Sequence, residues 1–209
     1  MKGVCGEIHF STRLARNTSI YCFTLRMRTA PDALLVYFDS GPELDPIGHY
    51  FDKKRRDYLA LLARLRKRNV PITGAAFGSF VFPPGGGLRL DRSFFKTVED
   101  MNYDIHLSEI TVVYDLCGNP RSWHPQTFQE NDRIAEEQYV RIFSFFCQFK
   151  RLKEITFWVP VDNDNTVETG TRCLRPYKNA RPGIMSRDFS KKPVYDRVSQ
   201  VILKSKPVI

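Results

Sequence analysis

A single carboxylate stands inside an apolar run, Ile105-His106-Leu107-Ser108-Glu109-Ile110-Thr111-Val112-Val113. An ionised carboxylate in such surroundings is costly unless it is hydrogen-bonded. Glu109 is therefore either a surface-facing residue of the strand or a group held for chemistry, as nucleophile or as general acid or base. Period-two alternation puts His106, Ser108 and Ile110 on one face and Leu107, Glu109 and Thr111 on the other, and leaves open which face is inside. Other reactive or recognising groups fall at the ends of similar runs. They are Asp39 after Leu34–Phe38, Ser79 and Phe80 after Val70–Phe77, and Trp158 with Asp162 around Ile155–Val159. In parallel α/β folds the C-terminal ends of strands carry the active groups. Aromatic rings there can act as flat platforms for sugars or bases, the alternative for Trp158 being a core position.

The elements that must position these groups alternate. Leu34–Phe38 reads as a buried strand, and an amphipathic helix from about Phe51 to Arg68 follows, with Tyr58, Leu61, Leu62 and Leu65 on its apolar stripe. Asn69 is a plausible stop. Val70–Phe77 is a second strand, followed by a turn-rich loop containing Pro83-Pro84-Gly85-Gly86-Gly87. Asp91 can cap a short helix with Phe94, Val98 and Met101 on one face. After the third strand, Ile105–Val113, comes a long helix with Ile142, Phe145, Phe146 and Phe149 at core spacing. The fourth strand is Ile155–Val159, and a last helix from Lys192 carries Val194, Val198, Val201 and Ile202. Four βα units in series imply a parallel sheet covered by helices. Residues 1–30 do not fit the alternation and stay unassigned, so the domain is read over 31–209.

Composition narrows the function classes. At 209 residues with 42% hydrophobic and 26% charged residues, the chain can fold as one domain around a sizeable core. The net charge is +9 and the pI about 9.4, which brings nucleic acid into consideration. The cations cluster at Lys53-Lys54-Arg55-Arg56 and at Arg64, Arg66, Lys67 and Arg68, along one helix, where a solvated outer face is the simpler reading. No zinc-finger spacing or glycine-rich phosphate loop joins these clusters, so a nucleic-acid role rests on charge alone and is not the expected one; no cofactor is expected either. The five cysteines (Cys5, Cys22, Cys117, Cys147, Cys173) are scattered and unpaired in spacing, which argues against a disulfide framework and against a metal site. No apolar run reads as a signal peptide or a membrane span. As written, the chain is expected in the cytoplasm, or secreted if the true start lies upstream.

Several segments, in order, resemble family 10 glycoside hydrolases, the β-1,4-xylanase family. Ile105-His106-Leu107-Ser108-Glu109-Ile110 is similar to the strand that carries that family's nucleophile, hydrophobic-His-hydrophobic-Ser/Thr-Glu. Asp32-Ala33-Leu34-Leu35-Val36-Tyr37 resembles the start of its fifth strand. Asn69-Val70-Pro71-Ile72-Thr73-Gly74 resembles the Gly-Val-Pro-Ile-Asp-Gly segment before its sixth. Ile155-Thr156-Phe157-Trp158 is similar to Thr-Phe-Trp-Gly of its eighth. Arg181–Tyr195 resembles its Pro-Leu-Leu-Phe-Asp…Pro-Lys-Pro-Ala-Tyr ending.

The resemblance implies a partial TIM (β/α)₈ barrel holding strands five to eight, and a retaining endo-1,4-β-xylanase whose nucleophile is Glu109. Trp158, Asp39, Ser79 and Phe80 would line the substrate groove, and the glycan would be a β-1,4-linked polysaccharide or oligosaccharide. The acid/base Glu belongs to the fourth strand, ahead of this chain, with Asp39 and Asp162 the strand-end carboxylates that could substitute. The Gln-Ser-His expected after the sixth strand is Gly78-Ser79-Phe80 here, so one polar support of the nucleophile is absent. A truncated product, weak or inactive alone, is therefore expected. Half a barrel leaves two open strand edges and an uncovered inner face, which implies self-association or a separately encoded N-terminal half. Two alternatives stand beside this reading: a non-catalytic carbohydrate-binding or interaction protein, and a basic nucleic-acid-binding α/β protein.

Overall fold

A computed structural model of the chain describes residues 34–40, 50–81, 89–112, 127–162 and 181–205. The segment 1–30, the Pro83–Gly87 loop, and four of the five cysteines lie outside the described residues.

The elements run β1 Val36–Ser40, α1 Tyr50–Lys67, β2 Gly74–Val81, α2 Arg92–Asp100, β3 Asp104–Val112, α3 Phe128–Phe146, β4 Leu152–Phe157 and α4 Pro193–Lys204. The strands form one sheet in the order β1-β2-β3-β4, every pair parallel. Sequential parallel order with a helix between strands is the geometry of a barrel segment.

Local chemistry sets the helix ends. Asn69 ends α1 with a φ of 52°, the left-handed turn that an Asn tolerates at a helix C-terminus. The Val70 amide then bonds back to the Leu65 carbonyl at 3.0 Å. The Asp91 carboxylate caps α2 by accepting from the Ser93 and Phe94 amides at 3.0 and 3.2 Å. Thr127 caps α3 through the Glu130 amide.

The strands sit slightly off their expected places, and the shift matters. β2 starts at Gly74 and continues to Val81, four residues beyond the expected end. Pro71 offers no amide to a ladder, so Val70–Thr73 serves as an approach segment. Ser79 and Phe80 are thus inside the strand. Likewise β1 ends at Ser40, with Asp39 inside it, whereas β4 ends at Phe157 and leaves Trp158 just past the edge of the sheet.

The core lies between the helices and one face of the sheet. Ala75 and Phe77 of β2 and Ile105, Leu107, Ile110 and Val112 of β3 meet Leu62 of α1, Phe95 of α2, Ile142 of α3 and Val198 of α4. Phe95 is its hub, edge-on to Phe146 at 4.7 Å and to Phe77 at 5.3 Å. Aromatic residues make up 13% of the chain, and many of them serve packing. The opposite face carries Val36 and the exposed Phe38 of β1 beside the small and polar Gly74, Ala76 and His106. Gly74 is packed so tightly against it that a Cβ would come within 2.8 Å of His106 Nε2. No described helix covers that face.

Candidate active site

β3 does not keep its alternation. Leu107 pairs with Ile155 and Ile110 with Phe157, so Ser108 and Glu109 together face Thr156. On the other side Ser108 pairs with Gly78 and Thr111 with Phe80, so Glu109 and Ile110 together face Ser79. This is a β-bulge, one extra residue against both neighbours. Glu109 has a φ of 59°, a left-handed conformation in which an L side chain is strained. The bulge resets the parity of the strand. Leu107 and Ile110, three residues apart, both enter the helix-side core, and Glu109 leaves the row that simple alternation would give it with Leu107. Its side chain is half-buried near the C-terminal end of β3.

The neighbours of Glu109 come from β4. Its amide donates to Thr156 Oγ1 at 3.3 Å. One step later the Trp158 amide donates to the Ile110 carbonyl at 3.1 Å, resuming the ladder. Trp158 keeps 44% of its surface exposed, so it is not a core residue. Nearer the N-terminal end of the strands, His106 Nδ1 lies 3.2 Å from Glu154 Oε2, a pair shared by β3 and β4. A carboxylate near the end of one strand can attack a saccharide carbon, and an exposed indole at the end of the next strand can stack a sugar ring.

The remaining candidates lie elsewhere. Ser79, expected to line the groove, is fully buried, and its hydroxyl bonds the Phe77 carbonyl at 3.4 Å. It occupies the helix-side row with Ala75, Phe77 and Val81, because β2 runs on past the expected end and alternation carries Ser79 inward. Asp39 is bound at 2.9 Å by Lys54 of α1. It stands beside Tyr37, whose phenol is pushed up to about 12 by burial and by that carboxylate. Asp39 thus turns to the helix layer, away from the face expected to bind substrate. Phe80 belongs to β2, and its side chain lies outside the described residues.

Asp162 is buried in a charge network that the sequence did not reveal. Its carboxylate accepts from the Gly183 amide at 2.7 Å, from Arg181 Nε at 3.0 Å and from Lys192 Nζ at 3.0 Å. Lys192 and Arg181 also reach Asp132 of α3, at 2.9 and 3.0 Å. Two cations thus neutralise two anions, and the network ties the chain after β4 to α3. Buried and engaged by two cations and a backbone amide, the Asp162 carboxylate is not open to a substrate, which removes it as a stand-in acid.

The basic helix α1 is partly neutralised. Lys53 pairs with Asp57, Lys54 with Asp39, and Arg55 approaches Asp52 and Asp91. Arg66 donates to the Asn102 carbonyl and lies over Tyr103 at 4.2 Å. Among the described residues no group of three or more His, Cys, Asp or Glu is placed to hold a metal, and no helix is long and apolar enough to cross a membrane.

The sequence matches the model of glycosyl hydrolase family 10 over residues 10–201. The chain belongs to that family. The match starts within the segment that the strand–helix alternation left unassigned. No curated protein sequence matches the chain. Among solved structures, native xylanase 10B from Thermotoga maritima is similar at 21% identity and a TM-score of 0.69, over 89% of this chain and 52% of that one. Xylanase 10B from Thermotoga petrophila RKU-1, solved in complex with xylobiose, gives 21%, 0.68, 89% and 51%. A mutant xylanase 10C from Cellvibrio japonicus in complex with xylopentaose gives 14%, 0.70, 90% and 37%. The chain spans about half the length of the two Thermotoga relatives and 37% of the Cellvibrio one. At such identities the likeness establishes the fold, and this family 10 chain is part of a (β/α)₈ barrel.

Two of its features were missed from sequence. The charge network could have been suspected from Lys192 ahead of Pro193 at the start of an amphipathic helix, but its partners lie 11 to 60 residues away. Thr156 lies in a segment already singled out, yet only the bulge gives its hydroxyl a task.

Proposed function

We propose that this chain is a retaining glycoside hydrolase half-site for β-1,4-linked, xylan-type polysaccharide, with Glu109 as nucleophile and Trp158 as a sugar platform. The observation that carries the reading is the bulge that takes Glu109 out of the core-facing row at the end of β3, beside the exposed Trp158. Family membership supports it, as do the xylobiose and xylopentaose bound to two of the solved relatives.

In that chemistry a Glu109 oxygen attacks the anomeric carbon, the bond to the leaving oxygen breaks, and a second carboxylic acid protonates that oxygen. Water then cleaves the glycosyl ester, with the second group acting as base. The two carboxyl groups must stand about 5–5.5 Å apart. Asp39 and Asp162 are engaged by Lys54 and by Lys192 with Arg181, and Glu154 is paired with His106. In our reading the second carboxyl is supplied by a barrel half that completes the sheet, and the chain alone is a weak hydrolase. Self-association or capture of such a half is expected; a monodisperse monomer by light scattering at high concentration argues against self-association.

The test is intact-protein mass spectrometry after incubation with a fluoro-substituted dinitrophenyl β-xylobioside, whose leaving group departs without acid help. An adduct mapped to Glu109 and absent from Glu109→Ala is the expected result. No adduct in a folded protein overturns the hydrolase reading. It leaves a carbohydrate-binding protein, which the exposure of Trp158 and the engaged carboxylates favour. That second reading requires xylo-oligosaccharide binding that survives Glu109→Ala and is lost in Trp158→Ala.

A further inference from the structure

In a regular parallel ladder the Glu109 amide would donate to a backbone carbonyl of a neighbouring strand. The bulge withdraws it from that pattern, and the amide bonds instead to a side chain, Thr156 Oγ1 at 3.3 Å. Thr156 is the single β4 residue that faces both Ser108 and Glu109, between the Leu107–Ile155 and Ile110–Phe157 pairs. Its hydroxyl therefore fills the gap that the extra residue opens. The ladder resumes directly afterwards through the Trp158 amide and the Ile110 carbonyl.

We infer that Thr156 is a positioning residue for Glu109, an inference that rests on the reading of Glu109 as nucleophile. The direction of the Glu109 side chain is fixed by its backbone, and at a φ of 59° that backbone sits in a well with close competitors. Rotation of the peptide between Ser108 and Glu109 would release the left-handed conformation and turn the carboxylate elsewhere. It would also remove the amide from Thr156. The hydroxyl thus holds the bulge in the arrangement that presents Glu109, and a methyl group of the same shape cannot accept the bond. The Thr156 hydroxyl makes no other hydrogen bond to the described residues, so its own O–H is left to donate to a bound ligand or to water.

The experiment compares Thr156→Val, which keeps the shape, with Thr156→Ser, which keeps the hydroxyl. Amide hydrogen exchange is followed at Glu109 relative to Leu107 and Ile110, together with the first-order rate of labelling by the fluoro-substituted xylobioside. Thr156→Val is expected to speed exchange at Glu109 at least tenfold against its neighbours. Its labelling rate should fall about tenfold at saturation, with the concentration for half-saturation little changed. Thr156→Ser should restore both. Uniform acceleration of all three amides, or labelling by Thr156→Val at the wild-type rate, would overturn the inference. If the wild-type protein is not labelled at all, the nucleophile reading fails, while the exchange comparison still decides whether Thr156 holds the bulge.

Discussion

The bulge at Glu109 makes a prediction whose sign is unusual. In a regular strand, glycine is less stable than alanine by about 0.5–1 kcal/mol, because it loses more backbone freedom on folding. At Glu109 the φ is 59°, where an L side chain costs roughly 1–2 kcal/mol that glycine avoids. Glu109→Ala and Glu109→Gly both remove the carboxylate and its stem, so their difference isolates the backbone. Subtracting the entropy term from the relieved strain leaves Glu109→Gly more stable than Glu109→Ala by about 1 kcal/mol. For a domain of this size that is roughly 2–4 °C in melting temperature, or a rise in urea midpoint of about 0.3–1 M at unchanged slope. Scanning calorimetry and urea titration of the two variants measure it. Glu109→Ala equal to or more stable than Glu109→Gly would refute the left-handed bulge, and with it the geometry assigned to the candidate nucleophile.

Other perturbations test the frame around the site. Lys192→Met removes one cation from a buried network and leaves Arg181 as the single cation facing both Asp162 and Asp132; it should cost about 3–5 kcal/mol in urea unfolding. Tyr139 is fully buried, its hydroxyl donating to the Pro182 carbonyl at 2.7 Å and accepting from the Val112 amide at 3.3 Å. Tyr139→Phe leaves both partners unsatisfied and should cost about 1–3 kcal/mol. Burial pushes that phenol well above its ordinary value, so it should stay un-ionised in ultraviolet titration until the protein unfolds in alkali. Asp91→Ala should cost about 1 kcal/mol through loss of the α2 cap. Burial raises the Asp91 carboxyl, but hydrogen bonds from Ser93 and Phe94 and the charge of Arg55 outweigh this and hold it below the ordinary range. Its contribution is therefore present above the unfolded value near 4 and lost as the pH falls through the lower folded value, and the wild-type and variant stability curves should converge there.

Elements built on local rules were legible in the sequence. α2 starts at the Asp91 cap, α1 ends at Asn69, and each strand of the sheet overlaps an apolar run read from the sequence. The parallel order follows from the strand–helix alternation, since a crossover helix returns the chain to a neighbouring parallel position. What misled was the assumption that a strand ends where its apolar run ends. β2 continues through Gly78 and Ser79 because β1 still pairs with it at Gly78 and β3 offers a ladder as far as Val81. That continuation turned Ser79 into the core, and a similar extension of β1 placed Asp39 inside a strand against Lys54.

The sequence by itself determined the kinds of groups available: one carboxylate in an apolar strand, one Trp at the next strand end, and the ordered segments that mark a family 10 chain. These depend on residue type and on separations of a few positions, which local backbone rules convert into elements. Which face Glu109 occupies was decided only by the tertiary structure, because period-two alternation holds only while the register with both neighbouring strands is unbroken. The bulge breaks that register, and a register exists only once three strands are paired. The same holds for Asp162, a strand-end carboxylate in the sequence and a buried counter-ion in the fold. Its partners Arg181 and Lys192 are 19 and 30 residues away, and nothing local to Asp162 signals that packing will bring them within 3.0 Å.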